Sequence, residues 1–247
     1  MKQQILEIVE NLPLTGSLMK MKLAIGEETA AAVLPGQFIN IRIDGLYLRR
    51  PISVDDVEAG ELTIIYKVVG QGTEKLRGMT AGQYLDVLLP LGNGFSLEEA
   101  GDAPLLVGGG VGSAPLYYLA KKLLAAGKKP AVVLGFRSRE EIFLKEEFEA
   151  LGLETVIVTE DGSEGRRGFV TDAVKDMAYS CAYVCGPEPM LKAVYKVLQG
   201  PGQYSFEERM GCGFGACMGC SCKTVTGYKR ICKDGPVMRR EELLWED

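Results

Sequence analysis

The hydrophobic period of this chain changes near residue 100, and that change limits its architecture more than any other feature. Up to about Ser96 the apolar residues fall in short alternating runs broken by Gly and Pro. Examples are Phe38-Ile39-Asn40-Ile41-Arg42-Ile43, Leu62-Thr63-Ile64-Ile65-Tyr66-Lys67-Val68 and Tyr84-Leu85-Asp86-Val87-Leu88. Alternation puts every second side chain on one face of a strand, and strands this short and closely spaced predict a small antiparallel barrel. From Asp102 to about Gln199, continuous apolar runs (Leu105-Leu106-Val107, Ala131-Val132-Val133-Leu134, Thr155-Val156-Ile157-Val158, Ala182-Tyr183-Val184) alternate with helical stretches. That order predicts βαβ units and a parallel sheet. Ser138 and Glu141 form a capping-box pattern ahead of an expected helix from Glu140 to Leu151. Pro187 and Pro189 fit the first turn of another helix through Met190-Leu191-Lys192-Ala193-Val194. From Gly200 onward periodicity fades and thiols accumulate. The expected domains are therefore residues 1–98, an antiparallel β-barrel, 99–199, an α/β domain, and 200–247, a small cysteine-rich domain. There is no internal repeat.

Two domains with real cores suit 247 residues of which 47% are hydrophobic and 25% charged. Lys and Arg minus Asp and Glu is 28 − 33 = −5, so the chain offers no electrostatic footprint for nucleic acid or an anionic membrane. It contains 0 histidines. That excludes Ser-His-Asp triads, Cys-His dyads, His-ligated zinc or non-haem iron, and haem on a proximal His. The uncharged run from Ala103 to Ala120 is long enough to resemble a membrane span, but Gly108, Gly109, Gly110, Gly112 and two prolines suit a strand–loop–helix turn instead. Glu7 and Glu10 interrupt the N-terminal apolar stretch that a secretory leader requires, so a cytoplasmic protein is expected. Five of the 7 cysteines crowd between Cys212 and Cys232, a clustering that in a cytosolic chain favours metal over disulfides.

Chemistry is read first from those thiols. Cys212-x4-Cys217-x2-Cys220 matches the plant-type [2Fe–2S] spacing, and Cys232 supplies a fourth thiolate after an eleven-residue gap. Gly211, Gly213, Gly215 and Gly219 interleave the ligands, which permits a tight loop and close N–H approach to sulfur. The gap to Cys232 is shorter than in plant ferredoxins. A four-cysteine zinc site is the alternative, yet zinc sites usually pair two separated C-x2-C knuckles and the second is missing here. Cys222 competes with Cys220, although the x4/x2 match favours Cys220.

A second signal is Val107-Gly108-Gly109-Gly110-Val111-Gly112-Ser113-Ala114-Pro115, a glycine turn between a strand and a helix. Such a turn brings backbone N–H groups and a helix N-terminus to a pyrophosphate. Cys185-Gly186-Pro187-Glu188-Pro189-Met190 is a second turn at a strand's carboxyl end, the edge where parallel sheets bind ligands. Gly108, Gly109, Gly110, Gly112, Cys185, Gly186 and Pro187 are thus candidates for a nicotinamide dinucleotide, with Cys185 near the nicotinamide or simply a small buried thiol. Arg137, after the second strand of this domain, suits a 2′-phosphate and leaves NADP open. A third signal is Arg49-Arg50-Pro51-Ile52-Ser53 with Ile65-Tyr66-Lys67 and Gly72-Thr73, groups able to hold a pyrophosphate and a flavin ring. Nicotinamides exchange two electrons at once and iron–sulfur clusters one, so a site for each predicts a flavin between them.

The order barrel, R-P-x-S, G-G-G-x-G, C-G-P-x-P-M resembles the ferredoxin-NADP reductase superfamily. With Cys212-Gly-Phe-Gly-Ala-Cys-Met-Gly-Cys220 and Cys232-Lys-Asp-Gly-Pro236, the whole chain resembles the electron-transfer subunits of dihydroorotate dehydrogenase B. The resemblance implies that Arg50, Pro51, Ile52, Ser53, Ile65, Tyr66, Lys67, Gly72 and Thr73 contact FAD, and that Cys212, Cys217, Cys220 and Cys232 hold the cluster. It also implies an FMN-containing catalytic partner that oxidises dihydroorotate, a heterotetramer of two of each subunit, and electron flow from FMN through cluster and FAD to NAD+, in pyrimidine biosynthesis. The residues agree on the need for a partner, because no acid–base pair is set to take protons from a carbon substrate. Phe214 and Met218, with Leu243, Leu244 and Trp245, are candidates for a docking surface or, for the tail, for packing on their own domains. Other readings are the small subunit of an NADH-dependent ferredoxin:NADP oxidoreductase or sulfide dehydrogenase, and a non-enzymatic zinc-binding adaptor.

Overall fold

The computed structural model describes residues 1–245. Its first half is a closed antiparallel barrel of β1 (Lys2–Pro13), β2 (Leu18–Ala24), β3 (Phe38–Ile41), β4 (Arg50–Glu58), β5 (Glu61–Lys67) and β6 (Tyr84–Leu91), ordered β1-β2-β5-β4-β3-β6. Alternation drives closure: Ile8, Met21, Ile39, Ile41, Val54, Leu62 and Ile64 turn inward and are fully buried. Two short helices, α1 (Glu27–Ala32) and α2 (Gln71–Arg77), fill the connections.

The second half carries β7 (Pro104–Gly109), α3 (Ala114–Ala125), β8 (Ala131–Phe136), α4 (Lys145–Ala150), β9 (Thr155–Thr159), β10 (Arg166–Arg167), α5 (Val170–Val174), β11 (Cys181–Cys185), α6 (Glu188–Val197) and β12 (Gly202–Ser205). A hairpin of β13 (Ser221–Thr224) and β14 (Gly227–Arg230) follows, then β15 (Val237–Arg239). The seven-stranded sheet runs β10-β9-β8-β7-β11-β12-β15. Its central strands are apolar on both faces, as helix-covered parallel strands must be.

The expected barrel and parallel sheet are both present. The sheet continues past residue 199, because β12 pairs parallel to β11 and β15 pairs antiparallel to β12. The expected helix from Glu140 to Leu151 is broken. A 3-10 turn covers Arg139–Glu141, Leu144 takes φ +62°, and α4 begins at Lys145. The cause is burial: Phe143 and Leu144 dip into the core, where the Phe143 ring meets Phe136 edge-on at 5.6 Å. Ser138 does not cap; its hydroxyl donates to Glu140 at 2.6 Å. The helix after Pro187 forms as expected, with Pro189 inside its first turn. Among the described residues no helix is long and apolar enough to cross a membrane.

The halves meet along α3 and β4, where Lys121 bonds Asp56 at 2.8 Å and Glu58 at 2.9 Å. A bulge between Val54 and Asp56 turns Asp55 into that seam, where it is buried and its Oδ1 finds no donor among the described residues. Burial, then the neighbouring Asp56 charge, raises its pKa well above the ordinary carboxylate value.

Candidate cofactor and cluster sites

The cysteine loop spans residues 211–220 and is shaped by amides aimed at sulfur. Cys212 Sγ accepts N–H groups from Ala216 at 3.2 Å and Cys217 at 3.4 Å; Cys217 Sγ accepts them from Cys212 at 3.4 Å and Gly219 at 3.5 Å. Cys220 Sγ accepts the N–H of Cys232 at 3.4 Å. The four thiols thus come together in two pairs, Cys212 with Cys217 at the surface and Cys220 with Cys232 in the core. Gly213 at φ +77° and Gly215 at φ +93° make the wrap possible.

Electrostatics separate the two pairs. Burial opposes the Cys212 thiolate, but N–H groups of Phe214, Cys217 and Ala216 and the Cys217 thiol outweigh it and bring its pKa down to about 6. Burial, then the Cys220 thiol, pushes Cys232 up to about 12. Sulfur-directed amides favour the Cys212 thiolate, whereas buried Cys232 needs a neighbouring cation to ionise. Among the described residues no three His, Cys, Asp or Glu side chains are grouped to hold a single metal ion. Two separate thiol pairs fit a two-iron cluster, in which each iron takes two cysteines, better than one tetrahedral zinc.

Cys222, on β13, is half-buried against the core that holds Cys220 and Cys232. It lines a cavity of about 210 Å³ with Glu188, Phe206, Glu207, Lys223 and Trp245, and burial raises its pKa. The tail packs on its own chain: Leu243 is buried, and Trp245 meets Tyr195 and Tyr204 edge-on and Phe206 at a tilt. Phe214 and Met218 remain 43% and 52% exposed at the cluster loop, and Leu244 40%.

On the barrel, Pro51 and Ser53 lie half-buried on β4, paired with Asn40 and Phe38 of β3. Arg50 folds over Gly72, where a Cβ would lie 2.8 Å from Cζ of the guanidinium. This brings together two motif residues 22 positions apart in sequence. Ile52 packs against the barrel core, Ile65 is buried toward α3, and Lys67 is exposed. Two candidates have committed side chains. Tyr66 points into the barrel, its hydroxyl donating to Asn11 Oδ1 at 3.0 Å, and burial lifts its pKa to about 12. The Thr73 hydroxyl closes its own turn, accepting N–H groups from Val69 at 2.9 Å and Gly70 at 3.2 Å.

At the sheet edge, Cys185 stands opposite Gly108 in register, and the two glycine turns interlock. A Cβ on Gly112 would lie 2.6 Å from Gly186 Cα, and one on Gly186 would lie 2.6 Å from Met190 Cε. Gly109 ends β7, Gly110 opens the 3-10 turn at φ +51°, and Pro187 is the N-cap of α6. Burial, then Glu207, raises the Cys185 thiol to about 12, so it is a neutral group here and no nucleophile. Arg137 is exposed past β8.

Two residues that the motifs contain but that are not among the site candidates also lie here. Ser113, fully buried in the glycine turn, has a hydroxyl with no partner among the described residues. Asn40, also buried, donates to the Cys212 carbonyl at 3.3 Å.

A barrel joined to a parallel sheet, a glycine edge and a four-thiol site together define an NAD-linked iron–sulfur oxidoreductase of the ferredoxin-reductase type. Residues 106–196 match the oxidoreductase NAD-binding domain, and residues 207–244 match the iron–sulfur cluster binding domain of dihydroorotate dehydrogenase B. The chain belongs to the family of dihydroorotate dehydrogenase B (NAD(+)) electron transfer subunits. It is 48% identical to the member from Caldanaerobacter subterraneus subsp. tengcongensis over 85% of this chain and 87% of that one. It is 43% identical to the member from a Geobacillus species over 99% of both. The NADH-dependent reduced ferredoxin-NADP oxidoreductase, a flavin-based electron bifurcation system, superposes with a TM-score of 0.88 at 31% identity, covering 98% of this chain and 90% of that one. A Neisseria gonorrhoeae ferredoxin NADP+ reductase with bound FAD and NADP shares the fold at 16% identity, with a TM-score of 0.68 over 80% of this chain and 90% of that one.

Proposed function

We propose that this chain relays electrons between an FMN-bearing dihydroorotate-oxidising partner and NAD+, as the small subunit of a cytoplasmic heterotetramer with two of each chain. The observation that carries the reading is the pair of thiol pairs in a segment of the family's iron–sulfur type, seated against the barrel strand next to β4. The bifurcating oxidoreductase shares the fold, but identities of 41–48% favour the dihydroorotate family.

In this reading Cys212, Cys217, Cys220 and Cys232 hold a [2Fe–2S] cluster and Cys222 stays free. Residues 1–98 hold FAD, with Arg50 as the diphosphate's charge partner, Pro51 and Ser53 facing the ring, and Ile65-Tyr66-Lys67 and Gly72-Thr73 offering mainly backbone. Residues 99–199 take NAD at Gly108, Gly109, Gly110, Gly112, Cys185, Gly186 and Pro187. A bound FAD supplies the exchange between one-electron and two-electron chemistry. The protein's own contribution is placement: amides steady the thiolates, interlocked glycines let a dinucleotide approach the backbone, and the neutral Cys185 adds no competing charge. Exposed Phe214 and Met218 would face the partner beside the cluster.

Anaerobic co-purification tests the proposal. The complex should contain FAD, FMN and iron and reduce NAD+ with dihydroorotate, while this chain alone oxidises NADH with artificial acceptors but leaves dihydroorotate untouched. Dihydroorotate oxidation by the isolated chain would contradict it.

A further inference from the structure

Strand β3 has two faces and both are buried. Ile39 and Ile41 point into the barrel at 0% exposure, while Phe38 and Asn40, on the outside, are 3% and 1% exposed. An outward residue on a barrel strand is normally wet, so something covers these two. Phe38 packs in the same core as Cys220, Ile231 and Cys232, and Asn40 reaches the other thiol pair through the Cys212 carbonyl. One strand therefore touches both halves of the cysteine site.

The same two residues are bound to β4. Asn40 pairs with Pro51 and Phe38 with Ser53, and directly opposed residues of antiparallel strands share a face. Asn40 thus lies between the strand given to the flavin and the loop given to the cluster.

We infer that Asn40 is a positioning residue for electron transfer between cluster and flavin, clamping the Cys212–Gly213 turn to the barrel at fixed separation. The inference rests on the proposed function, which assigns the cofactors to these two elements. Three features make Asn40 a clamp and not a passive filler. Its Nδ2 donates to the Cys212 carbonyl at 3.3 Å, and its Oδ1 has no partner among the described residues, so its polar engagement with the protein is with the cluster loop. Gly213, at φ +77°, sits so close to that amide that a Cβ there would collide with Nδ2. The strand beneath is itself tethered, since Arg49 Nη1 donates to the carbonyls of Asn40 at 3.3 Å and Asp86 at 3.0 Å. Groups that orient a metal's ligands tune both its geometry and its potential, and electron transfer slows steeply as its partners separate.

The test uses the purified, cofactor-loaded chain and NADH, with rapid mixing to follow flavin bleaching and freeze-quenched EPR to follow arrival at the cluster. Iron and flavin content of the wild type are measured first; their absence would sink the proposed function itself, before any variant is made. Asn40→Leu removes the hydrogen bond while keeping the branching at Cγ, and Asn40→Gln keeps a donor. In Asn40→Leu the cluster's EPR line shape should change and its reduction should slow by roughly tenfold or more relative to flavin bleaching. Backbone amides of residues 212–217 should exchange with deuterium faster, and Asn40→Gln should restore part of each effect. A cluster lost from Asn40→Leu but present with an altered signal in Asn40→Gln supports the same role. An unchanged signal and rate in Asn40→Leu, a defect that tracks flavin loss, or loss of the cluster from both variants would overturn the clamp.

Discussion

The glycine turns at the sheet edge and the cysteine loop are both places where backbone must come close to a cofactor, and both use glycine to do so. What holds them differs. Gly112 and Gly186 pack backbone on backbone at the ends of β7 and β11, which are paired in register and buried, so the edge keeps its shape from the sheet itself. The cysteine loop is largely exposed from residue 214 to 219 and is held by N–H groups on sulfur, by Asn40, and by Arg230 donating to the Gly215 carbonyl at 2.8 Å. One site is held by a buried sheet; the other is an exposed loop held by polar contacts to its sulfurs and backbone.

The largest break between them should come from the ligands. Replacing Cys212, Cys217, Cys220 or Cys232 by Ser should abolish the cluster and stop partner-driven electron flow, while flavin content and NADH-dependent dye reduction persist. Cys222→Ser should leave the cluster's absorbance and EPR signal intact, and loss of that signal would reassign the ligand set.

Attacking the sheet edge should do the reverse. Gly112→Ala forces a methyl group against the Gly186 backbone, at a cost of about 1–3 kcal/mol in stability and a clear rise in the KM for NADH, with iron content unchanged. Thermal melts and steady-state kinetics on one preparation check both. Arg50→Ala should weaken FAD retention by about 10–100-fold, the loss of one charge-assisted contact worth about 1.5–3 kcal/mol, measured by flavin released on dilution.

A smaller effect belongs to the seam between the halves. Buried Asp55 keeps its proton at pH values where an unfolded chain has lost it, so folding takes up a proton there. The contribution of Asp55 to stability is therefore fullest in acid, below the ordinary carboxylate pKa, and declines as pH rises toward its own raised value. Asp55→Asn removes that decline. It should match the wild type near pH 4 and melt a few degrees higher near pH 8, as about 1 kcal/mol shifts Tm by 2–4 °C at this size. Wild-type and variant melting temperatures that stay parallel across that range would show that Asp55 titrates alike in both states.

The same contrast governs what could be read in advance. Barrel and sheet were legible because burial writes a period of two or a continuous apolar run into the chain, and the four thiols because cluster spacing is rigid. The break before α4 was not, since Phe143 and Leu144 fit a helix pattern and only their tertiary burial pulls them out of it. Nor was β12, four residues long, whose place depends on β11 beside it. Tyr66 and Thr73 belong to a recognisable motif, yet their hydroxyls serve the barrel and a turn. Asn40 carried a faint signal, a lone amide in an apolar run, but it sits where alternation predicts a solvent-facing residue until the cysteine loop is seen to cover it.

The most direct measurement is low-temperature EPR of the purified chain after anaerobic addition of NADH, alongside visible absorbance and metal analysis. If one chain joins a nicotinamide site, a flavin and a cluster, the flavin should bleach and the signal of a reduced two-iron cluster should appear, near one spin per chain and about two irons. Flavin bleaching with no such signal, or zinc in place of iron, would contradict the account.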